Sequence, residues 1–79
     1  MTKSDLPNEL YIVLKTLGGR ATLLDTCKAF WGTHENDLRS SGDLFYTWQY
    51  DIRWAATNLR KSGKMISAKI SPQGIWELA

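Results

Sequence analysis

An α+β domain, three helices followed by a two-stranded β-hairpin, is predicted by three features of this chain. Leu44 to Gly63 is its longest uninterrupted helical pattern. Two shorter runs with helical apolar spacing come before it, and glycine closes each. After it, apolar and polar residues alternate on both sides of a Ser-Pro-Gln-Gly turn. A chain of 79 residues makes one domain, 1–79.

The first helix is expected to start near Pro7, since a missing N–H costs nothing at the first helical position. Leu6, Leu10, Val13, Leu14 and Leu17 fall on one face, and Gly18-Gly19 stops the helix. Arg20-Ala21-Thr22 is short and extended, placed to pair with the hairpin as a small first strand. Thr22 suits an N-cap, and Asp25 puts a carboxylate in the first turn of the second helix. Leu23, Leu24, Cys27, Phe30 and Trp31 form its apolar face, with Gly32 as its expected end. His34 to Asp43 reads as a loop, with Ser40 or Ser41 capping the next helix. In the hairpin, 64–78, Ile66, Ala68 and Ile70 alternate with Ser67 and Lys69, and Trp76 and Leu78 with Ile75 and Glu77.

Composition narrows the function. A single cysteine, Cys27, excludes an intrachain disulfide and fits a reducing compartment, hence a cytoplasmic protein. One Cys and one His cannot supply the usual four zinc ligands, so no cofactor or metal is expected. Cys27 lies on an apolar face and reads as a structural thiol. His34 reads as a loop residue. No apolar run is long enough to span a membrane. No Ser/His/Asp or Cys/His arrangement or phosphate loop points to an enzyme. Charge is unevenly placed: residues 1–52 carry five Lys/Arg and seven Asp/Glu, whereas 53–79 carry five Lys/Arg and one Glu. A basic C-terminal end favours a polyanionic partner.

The third helix, about 44–62, divides into faces. Leu44, Phe45, Trp48, Ile52, Ala55, Ala56 and Leu59 gather into a core stripe, where two alanines let a neighbouring helix come close. Tyr46, Gln49, Tyr50, Arg53, Thr57 and Arg60 occupy the other side, which has no acidic residue. Trp54 falls on a flank with Thr47 and Asn58, where bare exposure of an indole is costly. Cover by the hairpin, with Trp76 as partner, is expected.

Helix, helix, long helix, hairpin is the order of a winged helix-turn-helix, in which the third helix enters the major groove. Arg pairs with guanine O6 and N7, and Gln with adenine N6 and N7. Gln49, Arg53 and Thr57 stand one helical turn apart on the outer face. Tyr46, Tyr50, Arg60 and Lys61 flank them and suit phosphate. Lys64, Lys69, Ser71 and Gln73 belong to the hairpin and are placed to reach the backbone or the minor groove.

Arg53-Trp54-Ala55, Leu59-Arg60-Lys61-Ser62-Gly63, Ile66, Ser71-Pro72, Gly74-Ile75-Trp76 and Leu78 together resemble the N-terminal winged-helix domain of Mrr-type restriction endonucleases. Leu14 to Ala21, with its Leu-Gly-Gly, is similar to that family's first helix and exit. The resemblance covers most of the chain. It implies double-stranded DNA as ligand and a separate effector, such as a nuclease subunit, as protein partner. It also implies that Trp54 and Trp76 are structural. Gln73 stands where the family's wing often has a basic residue, and no sheet is read that could present a nuclease's carboxylate–carboxylate–Lys set. The expectation is a non-enzymatic, monomeric DNA-binding domain. The alternative is a protein–protein adaptor that uses the same fold, with Tyr46 and Tyr50 as its contact patch.

Overall fold

A computed structural model describes residues 1–79. A 3-10 turn, Lys3–Asp5, leads into α1, Leu6–Thr16. There follow β1, Arg20–Thr22; α2, Leu23–Arg39; α3, Leu44–Lys61; and β2, Ile75–Glu77. The molecule is thus a small α+β domain of three α-helices and a two-stranded antiparallel sheet. None of its helices is long and apolar enough to cross a membrane.

Local chemistry sets the helix ends. The Thr2 amide donates to Asp5 Oδ2 at 2.8 Å. That bond and the Thr2 hydroxyl hold the Asp5 carboxyl below the usual carboxylate range. Gly18 takes φ +91° as α1 ends, and the Gly19 N–H returns to the Leu14 carbonyl at 2.8 Å. At the end of α3, Gly63 takes φ +79° and the Lys64 N–H returns to Leu59 at 2.8 Å. Both are Schellman closures, which need the left-handed backbone that glycine adopts freely. Thr22 caps α2, its side-chain oxygen accepting from the Asp25 N–H at 3.0 Å.

The core lies between the helices. α1 supplies Leu6, Leu10, Val13 and Leu14, α2 supplies Phe30 and Leu38, and α3 supplies Ile52, Ala55, Ala56 and Leu59. α3 packs most extensively on α1, as its paired alanines permit. Phe30 stacks on Trp48 at 5.7 Å, and Trp48 on Trp31 at 5.9 Å, tying α2 to α3 through aromatic rings.

Four expectations need correction. First, α2 does not stop at Gly32 but runs on to Arg39. Leu38, fully buried, anchors the last turn, and Glu35 and Arg39 pair one turn apart at 2.8 Å. The expected loop is therefore mostly helix, and His34 is a helical residue packed 4.6 Å from the Phe30 ring. Second, Ser40 and Ser41 do not cap α3. Their hydroxyls donate back to the carbonyls of Asn36 and Asp37 and finish α2. Third, Leu17 is partly exposed rather than in the core.

Fourth, only the second arm of the hairpin is a strand. The 64–78 segment folds back antiparallel, closed by the bridge Met65–Leu78 and by the Ile66 N–H donating to Glu77 at 2.9 Å. After Ile66 the chain leaves the ladder and turns at 68–70, with the Ile70 and Ser71 amides both donating to the Ser67 carbonyl. Ile70 is 77% exposed. The main partner of β2 is β1, in the register Arg20–Glu77, Ala21–Trp76, Thr22–Ile75. The short extended piece at 20–22 thus forms as expected and takes the pairing that the hairpin's first arm does not supply.

Candidate functional site

α3 has three sides. Its inner side is the core stripe. One flank carries Thr47, Asp51, Trp54 and Asn58, spaced one turn apart, and faces the N-terminal segment. There Asp51 is buried, accepts a hydrogen bond from the Thr47 hydroxyl at 2.8 Å and lies 3.8 Å from Lys3 Nζ. The same ammonium stands 4.7 Å from the Trp54 ring. Trp54 is 39% exposed. It lines a cleft with Ser4, Pro7, Tyr11 and Lys64, and the strand of the hairpin does not reach it. Trp76 lies on the far side of α3, buried in the cleft with Leu23 and Arg60. The expected Trp54–Trp76 pairing does not occur, because the paired β1 and β2 hold Trp76 on that opposite side.

The outer side holds the residues singled out by the sequence. Gln49, Arg53 and Thr57 are exposed along one line. Tyr46 and Tyr50 are 82% and 77% exposed. Arg53, Thr57 and Arg60 line one wall of a cleft of about 540 Å³, with Ala68, Pro72 and Gln73 opposite. Arg60 is half-buried, its Nε donating to the Ile66 carbonyl at 3.2 Å, so it holds the C-terminal segment against α3. Lys61 and Lys69 are exposed. Lys64 is not gathered with the others. It sits 5.8 Å from the Tyr11 ring, in the cleft between α1 and α3.

Electrostatically this side is unbalanced. The molecule's ion pairs engage Lys3 and Arg39, both outside the outer side of α3. Arg53, Arg60, Lys61 and Lys69 pair with no carboxylate. Asp51, the one acidic residue of α3, is turned away and held by Lys3 and Thr47. Cations without partners attract anions over a Debye length of about 8 Å at physiological salt.

A second recess, of about 780 Å³, opens between α2 and α3. Leu24, Cys27 and Trp31 of α2 face Phe45 and Trp48 of α3, with Lys28, Gln49 and Arg53 at its edge. The Arg39 guanidinium lies 5.2 Å from the Trp31 ring and 5.7 Å from that of Phe45. Burial pushes the Cys27 thiol up, against a smaller downward pull from Arg53. Nothing in the hydropathy pattern marks this recess, because its lining reads as ordinary core on each helix. Leu24, expected on the apolar face of α2, is instead 63% exposed at the mouth of this recess.

No family model, curated protein or solved structure matches the chain.

Proposed function

We propose that this chain is a non-enzymatic DNA-binding domain of winged-helix type. α3 lies in the major groove of a duplex and the 64–78 segment acts as a short wing. One observation carries the reading: the outer side of α3 presents Gln49, Arg53 and Thr57 beside cations that no carboxylate neutralises, while the helix's own acid is turned inward. Base edges call for an amide and a guanidinium at such spacing, and phosphates call for free charge nearby. The resemblance to the N-terminal domain of Mrr-type endonucleases supports the same assignment, and with it a separate effector as protein partner. With Lys64 turned to the α1 side and Gln73 at the wing, the wing adds less charge than α3. The grip therefore rests mainly on Arg53, Lys61 and Lys69.

Exposed Tyr46 and Tyr50 favour one second reading, an adaptor that docks a protein on the same side. Salt separates the two. Binding of mixed duplex DNA is expected to weaken steeply with added salt, log K falling by about 0.9 per phosphate contact for each decade. Absence of duplex binding at low salt, with a stoichiometric protein recovered on the tyrosine face, favours the adaptor.

A further inference from the structure

We infer that the recess between α2 and α3 is a binding site for a small aromatic carboxylate. The recess has a volume of about 780 Å³ and is lined mainly by apolar side chains. Its walls are aromatic: Trp31 and Trp48 stack at 5.9 Å with 15° between planes, and Phe45 lies tilted 6.2 Å from Trp31. With Phe30 already stacked on Trp48 and Arg39 over Trp31, a further planar ring packs against the ring edges that Trp31 and Phe45 turn to the recess. Leu24 supplies an apolar lip.

The rim sets the charge of the ligand. Lys28 reaches it from α2 and Arg53 from α3, no acidic residue lines it, and neither cation has a carboxylate partner. A planar apolar body with one carboxylate meets both requirements: the ring fills the aromatic walls and the anion sits between two cations from different helices. The Gln49 amide adds a neutral donor at the same edge. The site shares Arg53 and Gln49 with the outer side of α3, whereas Lys28, Trp31 and Leu24 belong to it alone, so the assignment does not require that α3 read DNA.

The test uses the whole chain and 2-naphthoate as probe, followed by amide and indole N–H spectra. Saturable one-to-one shifts are expected at Leu24, Cys27, Trp31 and Trp48, with slower alkylation of the Cys27 thiol by N-ethylmaleimide. Neutral 2-naphthamide is expected to bind about tenfold more weakly, as is 2-naphthoate to Lys28→Gln. Leu24→Glu, which sets a carboxylate at the lip, abolishes the shifts. Both positions are exposed, and if Leu24→Glu fails to fold, Lys28→Gln and the naphthamide comparison decide. No saturable shift at millimolar 2-naphthoate overturns the inference, as does equal affinity for acid and amide. So does an acidic amphipathic peptide that fills the recess and is not displaced by 2-naphthoate, since the recess is then a protein-docking groove. Duplex binding is left in place by Lys28→Gln, so failure of this site and failure of the DNA reading are separable.

Discussion

Arg53 and Arg60 lie two turns apart on one helix, yet the structure gives them different work. Arg53 is exposed and bonds its side chain to nothing. Arg60 donates to the Ile66 carbonyl and ties the C-terminal segment to α3. Arg53→Ala is therefore expected to cost about 1–3 kcal/mol of duplex binding while leaving the melting temperature within about 2 °C of the parent. Arg60→Ala is expected to lower stability by about 1 kcal/mol, or about 4–8 °C for a domain this small, as well as weakening binding. Thermal melts beside duplex titrations check both. Equal loss of stability in the two variants contradicts the assignment. Asp51 makes the same point from the other side. By charge alone it is an acid on α3, and only its hydrogen bond from Thr47 and its place beside Lys3 show that it faces away from the outer side.

Glycine separates two kinds of element boundary. Gly18, Gly19 and Gly63 sit at positive φ and end helices, whereas Gly32 lies inside α2 with ordinary helical backbone. A Cβ built at Gly32 meets nothing within 4 Å. Gly32→Ala is expected to stabilise the domain by about 0.5–1 kcal/mol, because it removes backbone freedom from the unfolded chain. Gly19→Ala, at φ +86°, is expected to destabilise it by at least as much. Denaturant titrations of the two variants should therefore move in opposite directions. The three helices, the positions of α1 and α3, the Thr22 cap and the small strand at 20–22 were legible in the sequence, because apolar period and capping chemistry are local. The second half of α2 was not. Its continuation depends on Leu38 reaching a core built by other helices, and on an ion pair between Glu35 and Arg39. The first arm of the hairpin was over-read for the same reason. Alternation at Ile66, Ala68 and Ile70 suits a strand, but register is settled by which edge is free, and β1 holds the longer pairing with β2.

At the scale of the whole molecule, charge is sorted by element. The N-terminal segment neutralises the acid of α3, and α2 ends in its own Glu35–Arg39 pair. Of the eight Lys and Arg that pair with no carboxylate, five lie on α3 and the segment that follows it, the others being Lys15, Arg20 and Lys28. Of the site residues named from the sequence, Tyr46, Gln49, Tyr50, Arg53, Thr57, Lys61, Lys69 and Gln73 are exposed, Arg60 is half-buried and Lys64 turns toward α1, whereas Ser71, expected at the tip of the wing, is buried. Helical periodicity separated the buried from the exposed side of α3, but it did not show that Trp54 stays exposed or that Arg60 is half-buried against Ile66. The wing residues were harder to place, because the path after Gly63 follows a single bridge rather than a ladder. The central claim is that the outer side of α3 meets a DNA duplex, and an amide-shift titration with mixed-sequence duplex at low salt tests it most directly. Shifts are expected to concentrate on Tyr46, Gln49, Tyr50, Arg53 and Thr57, to fade as salt rises, and to leave Lys64 and the Trp54 flank unmoved. Absence of shifts, or shifts centred on Lys64, Tyr11 and Trp54, contradicts it.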